Sequence, residues 1–315
     1  MTRRAIAVAS ACLLAFGPPG VRPERAHAHA GVCPSPDQQL EVRHKPGAHR
    51  RPGPRGREPH APSARQVARM LADLERRLSA LRTPVPAVIT VPVWVHVLSD
   101  GAKRASDLAV RRQIETLNEA YSGKFGGVDT GVRFRLVGVT VTVNAEWFRD
   151  PLVHEVQMKR GLRKGGVSML NLYLAQLSEL VLGYSTYPYW FAGNPRADGV
   201  VIDWRSLPDG ALRDFNRGYT GVHEIGHWLG LLHTFENGCE APGDAVDDTP
   251  AQARATQGCP ESADSCPGGG PDPIHNYMDY SVDACMREFT AGQGQRMRQM
   301  WAAYRTEKRD ITLNG

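Results

Sequence analysis

The chain has 315 residues, a formal net charge of +5 and 41% hydrophobic residues. This composition excludes collagen-like, coiled-coil and wholly disordered chains, and no apolar run approaches the roughly 20 residues of a membrane-spanning helix. The charge is unevenly placed: residues 1–86 carry a net +9 and residues 87–315 a net −4. The overall basicity therefore belongs to a leader, and it is no argument for a nucleic-acid partner.

Residues 1–30 have the pattern of a secretory signal. Arg3 and Arg4 precede a short apolar stretch, Ala5 to Phe16, and Ala28-His29-Ala30 offers small residues for a cut after Ala30. Val32 before Cys33 is too large for a lipoprotein cut. A secreted, extracellular protein is expected, without a lipid anchor or a membrane span. Residues 43–62 (RHKPGAHRRPGPRGREPHAP) cannot bury a core and are expected to be a disordered linker. From Ser63, an N-cap, Val67, Met70, Leu71, Leu74, Leu78 and Leu81 recur at helical spacing, until Pro84 and Pro86 end the run. Residues 31–86 are thus expected to be a propeptide, with this helix as its folded element, and residues 87–315 the main domain.

Val88 to Leu98 is a strand by alternation and β-branched content. Residues 106–122 suit a helix, with Leu108, Ile114, Leu117 and Tyr121 on one side. Val132 to Val143 alternates again. A helix fits about 152–164, and Leu170 to Leu174 and Gly199 to Trp204 are two further strands. Alternating strands and helices predict a mixed sheet with helices packed on it.

The segment Gly221 to Phe235 reads GVHEIGHWLGLLHTF. On a helix, His223 and His227 share one face and both can reach one ion. Gly230 can take positive φ and end the helix, which lets His233 return with a third nitrogen. Three neutral imidazoles leave one position open, as in hydrolytic rather than structural zinc sites. Glu224 is then placed to take a proton from the attacking water and pass it to a leaving amine. The expected reaction is hydrolysis of a peptide bond. The five fixed residues of HExxHxxGxxH make chance agreement small.

Further segments support a family resemblance. HEIGHWLGLLHTF, Cys239, GDAVDDTP, DSCP, NYMDYSVDACMREFT and GQ..RM run from about Tyr219 to Met297. Together they resemble metzincin zinc metalloproteases of the pappalysin branch, of the bacterial cytophagalysin or ulilysin type, and the strand VPVWVHVL extends the resemblance over most of residues 88–300. The resemblance implies an α+β fold. A mixed twisted sheet with helices would form an upper subdomain, an irregular disulfide-bearing segment the lower one, and the cleft would lie between them. It implies a zinc endopeptidase made as a zymogen, acting on proteins or peptides, and expected to be a monomer. His223, His227 and His233 would be the zinc ligands, Glu224 the general base, Met278 the methionine of the turn beneath the metal, and Tyr280 a stabiliser of the transition state.

Removal of the leader leaves five cysteines. Cys239, Cys259, Cys266 and Cys285 lie after the motif, where two disulfides suit an irregular secreted segment, and four cysteines allow three pairings. The resemblance favours Cys239–Cys266 and Cys259–Cys285. Cys33 is left over, and its thiolate could fill the open zinc position as a cysteine switch, as in related proenzymes. Asp244, Asp247, Asp248 and Thr249 concentrate hard oxygen ligands, so a structural calcium ion is expected there, as in related enzymes. Arginine-preferring relatives place an acid immediately before the last cysteine. This chain has Ala284 there and Asp283 one step earlier, so a broader or more apolar preference is expected. The competing reading is a catalytically silent secreted binding protein on the same scaffold, and retention of Glu224 argues against it.

Overall fold

The computed structural model describes residues 58–178 and 181–306. The expected signal, Cys33 and residues 43–57 of the expected linker lie outside this range. The described elements are α1 (Ala64–Ser79), β1 (Ile89–Ser99), α2 (Asp107–Tyr121), β2 (Val132–Val143), α3 (Ala145–Arg149), α4 (Glu155–Leu162), β3 (Leu170–Ala175), β4 (Gly183–Ser185), β5 (Val200–Asp203), α5 (Tyr219–Trp228) and α6 (Ala291–Met300).

The five strands form one sheet in the order β2-β1-β3-β5-β4. Every pairing is parallel except that of β4 with β5. Parallel pairs need crossovers, and the intervening helices cover both faces of the sheet. Alternation along the strands separates two cores. Val91, Val93, Val95 and Val97 of β1, with Leu172 and Ile202, meet α2 and α5 on one face. Leu98, Tyr173, Ala175 and Val201 meet Phe148 of α3 and Met158 of α4 on the other. Strands β3 and β5 are buried along their whole length, as expected of inner parallel strands.

Helix α2 starts at Ser106, whose hydroxyl accepts from Ala109 N. It buries Val110, Ile114, Leu117 and Tyr121, but Leu108 is exposed, which corrects the expected face. Leu108 stands in the first turn, before the stripe that meets the sheet. After α5, residues 229–290 form turns and loops, with one isolated bridge between Asn276 and Glu288. Disulfides Cys239–Cys266 and Cys259–Cys285 tie this region together. An irregular segment with little regular core gains from such cross-links, each typically worth about 2–4 kcal/mol.

The first and last described elements both pack close to α5. A capping box between Ser63 and Gln66 starts α1, and its Val67 and Met70 pack on Tyr187 and Leu232. At the other end, Arg305 is fully buried. Its guanidinium lies 3.8 Å from the ring centroid of Trp228 and donates to Asp198 Oδ2 at 2.9 Å. Asp198 also accepts from Trp228 Nε1 at 3.1 Å. An arginine with an acid and an aromatic face beside it can tolerate such burial.

Candidate metal centre

All ten residues of α5 are buried. Its one-turn spacing brings His223 and His227 to the same side, with Nε2 atoms 3.2 Å apart. Gly230 has φ +95, and a Cβ there would stand 2.4 Å from Met300 Cγ, so only glycine fits the turn that ends the helix. The chain returns with Leu231 N bonded to Gly226 O, and His233 Nε2 arrives 3.2 Å from His227 Nε2. The three imidazoles therefore meet at one point.

Neighbouring groups fix the rings. His223 Nδ1 donates to Tyr277 O at 2.6 Å, and His227 Nδ1 donates to Leu231 O at 2.8 Å. Tyr187 Oη lies 2.9 Å from the same His227 nitrogen, and Phe235 stacks on His233 with centroids 4.7 Å apart. With the Nδ1 protons committed to carbonyls, the Nε2 lone pairs of His223 and His227 turn inward. Burial holds His223 down at about 4, which keeps its ring neutral at ordinary pH.

This donor set fits zinc. Tetrahedral zinc–nitrogen bonds of 2.0–2.1 Å require ligand atoms about 3.3–3.4 Å apart, close to the separations here. Inward lone pairs repel one another unless a cation lies between them.

Glu58 completes the cluster and was not foreseen. Its Oε1 lies 3.0 Å from both His223 Nε2 and His233 Nε2, and its Oε2 lies 3.3 Å from His227 Nε2. Tyr280 Oη donates to Oε1 at 3.1 Å. Glu58–Pro62 are therefore not the disordered spacer expected of residues 43–62. The same composition that forms no core of its own can lie in a groove made by other residues.

Glu224 is buried on α5 beneath β4. The backbone of Gly183 comes so close that a Cβ there would stand 2.6 Å from Glu224 Cγ. Met278 is fully buried under α5 next to Gly226. The turn around it is fixed by a pair of amides: Asn276 Nδ2 donates to Gln293 Oε1 at 2.8 Å, and Gln293 Nε2 donates to Asn276 Oδ1 at 2.9 Å. Asn276 Oδ1 also accepts from Met278 N. These two residues set the carbonyl that orients His223. The only sequence signal for Gln293 was its place in GQ..RM.

The four acidic-loop residues divide. Asp248 spans the start of α6, accepting from Thr290 Oγ1 at 2.7 Å and Gly292 N at 2.8 Å. Asp247 is exposed. Asp244 and Thr249 face each other with their side-chain oxygens beside Arg296, and burial raises the Asp244 carboxyl to about 7. Ala284 is exposed, and the buried Asp283 accepts from Arg217 N at 2.8 Å.

The family model described as pregnancy-associated plasma protein-A, peptidase family M43, matches residues 186–302, which include the three histidines, Met278 and Tyr280. The chain is 43% identical over 245 residues to an extracellular metalloprotease of Pyricularia oryzae, an alignment covering 76% of this chain and 84% of that protein. It is 44% identical over 259 residues to one of Verticillium alfalfae, covering 78% and 88%. Among solved structures, a mutant of Tannerella forsythia promirolysin superposes with a TM-score of 0.66 at 28% identity, covering 76% of this chain and 89% of that one. Mirolysin in complex with a small compound gives 0.61 at 30% identity, covering 69% and 92%. On this similarity in sequence and fold, the chain belongs to the pappalysin family of metzincin metalloproteases.

Proposed function

We propose that the protein is a secreted zinc endopeptidase made as a zymogen. The observation that carries this reading is the convergence of His223, His227 and His233 on one point beside Glu224. These histidines would hold zinc, which supplies a Lewis acid able to acidify water and polarise a peptide carbonyl. The remaining roles fall to side chains of the cleft. Glu224 accepts the proton of the attacking water and hands it to the departing amine. Tyr280 Oη, already a donor at the centre, would stabilise negative charge developing on the carbonyl oxygen. Strand β4 ends the sheet above Glu224, and such an edge can pair with an extended peptide.

The zymogen reading draws on the extracellular names of the curated relatives, the leader pattern and the docking of α1 beside the site. Arg82, Thr83 and Pro84 are exposed between α1 and β1, where a processing enzyme could reach them. Mass-spectrometric mapping of cuts in a protein mixture, comparing the wild type with Glu224→Ala, tests the activity. Wild-type-only cuts are expected, and identical maps from the processed, zinc-loaded proteins would favour the silent scaffold.

Calcium in the acidic loop is part of the proposal. Asp244 and Thr249 place hard oxygens side by side in this loop, with Asp247 next to them. Thermal stability is expected to fall on chelation and to return with calcium while zinc is kept saturated. A melting curve indifferent to calcium would remove this site.

A further inference from the structure

We infer that Glu58 is the side chain that closes the zinc position in the uncut chain, making this a carboxylate-latched zymogen rather than one held by the Cys33 thiolate. The inference rests on the zinc reading above and adds the identity of the fourth ligand. Each of the three Nε2 atoms has a Glu58 oxygen within 3.3 Å. A carboxylate facing inward-turned lone pairs is repelled, and a cation shared among all four groups reverses that repulsion. A carboxylate oxygen is an ordinary zinc ligand. Glu58 therefore takes the position that hydrolysis needs left open.

The residues around Glu58 show how it is held. Two positions on, His60 Nε2 meets Glu155 Oε2 at 2.9 Å, and the other oxygen of Glu155 meets the fully buried Lys159 Nζ at 2.7 Å. The His60 ring stands edge-on to Tyr184 of β4, with centroids 5.4 Å apart. Ala61 and Pro62 then pass beside His233, Phe235 and Tyr280. The strap thus touches the edge strand and the lower loop, the two walls a substrate would contact, before Ser63 starts α1. Anchors immediately after the carboxylate raise its effective concentration at the metal, so a ligand weaker than thiolate suffices.

This device differs from a thiol latch in its chemistry. A carboxylate cannot be released by oxidation or by a thiol reagent, so opening requires loss of the strap, by cleavage or by release of its anchors.

The test uses the full chain in a Glu224→Ala background, where self-processing is removed, loaded with cobalt as a visible stand-in for zinc. Binding of acetohydroxamate, a small metal-seeking probe, is read from the cobalt spectrum for the parent, Glu58→Ala, Glu58→Gln and Cys33→Ser, with circular dichroism confirming the fold of each. If Glu58 occupies the metal in nine of ten molecules, its removal tightens probe binding about tenfold. Glu58→Ala is expected to show at least that gain, Glu58→Gln a smaller one, and Cys33→Ser none. Retained metal with no gain in either Glu58 variant, or a gain confined to Cys33→Ser, overturns the carboxylate latch and leaves the zinc site standing. Failure of the parent and of His223→Ala to differ in metal content would instead sink the zinc reading, and the latch with it.

Discussion

Gly183 of β4 lies against Glu224 of α5 so closely that one methyl group would press on the carboxylate's own methylene at 2.6 Å. The edge strand and the expected base are therefore a single fitted unit. Gly183→Ala must displace one of them, and displacements near 1 Å can cost about a hundredfold in rate. We expect kcat to fall by about that factor, with zinc content and melting temperature close to wild type. Unaltered kcat would show that the strand gives way without moving Glu224.

Tyr280→Phe isolates the hydroxyl. The ring packs on His233 and Phe235, with centroids 5.0 Å away in each case, so it should stay in place without its oxygen. Loss of one donor to a developing oxyanion typically costs about 10²–10³ in kcat. The expected result is a fall of that order with KM little changed. A pure KM effect would assign Tyr280 to substrate binding.

Gln293→Ala tests the support beneath His223. The change leaves Asn276 without its amide partner and loosens the carbonyl of Tyr277 that holds the His223 ring. Groups that orient a metal ligand typically contribute about 10–100-fold in metal affinity. Competition with a chelator should reveal a loss in this range. Gln293 also caps α6, so a melting curve is needed beside it.

His96 gives a pH prediction away from the metal. Its ring is buried between Thr140 Oγ1 and Asn171 Oδ1, each 2.9 Å away, and stacks on Tyr173. Burial lowers it from 6.5 to about 4. The unfolded chain therefore binds the proton first as pH falls. The stabilisation is complete above about 6.5, erodes below it and is gone below about 4, a total of about 3 kcal/mol at most. Urea unfolding at pH 7 and pH 4.5 should show most of this loss in the wild type and less of it in His96→Gln. Equal pH dependence in the two would exclude His96 as the source.

What could be read from the sequence depended on how far the signal was spread along the chain. Strand β2 runs from Val132 to Val143, the stretch that the alternation marked, because an edge strand keeps one face half in solvent. Strand β4 has three residues, too few for a period. Helix α6 contains two glycines and mostly polar residues, and it forms because Thr290 and Asp248 hold its start. The three imidazoles that meet on α5 and its return lie within eleven consecutive residues, so spacing alone announced them. Glu58 is 165 residues from His223, in a stretch whose composition favours solvent. Asn276 and Gln293 pair only through the tertiary fold. No local pattern encodes either relationship.

The last described residues meet both α1 and α5. Tyr304 Oη donates to Asp73 of α1 at 2.6 Å, and the Arg77 guanidinium sits 4.4 Å from the Tyr304 ring centroid. The next residue, Arg305, braces Trp228 at the end of the histidine-bearing helix. The carboxyl-terminal turn is thus a shared abutment. Under the zymogen reading proposed above, detaching the amino-terminal segment would unload one side of it while the other still braces the histidine-bearing helix, so processing would change the mechanical support of the site as well as access to it.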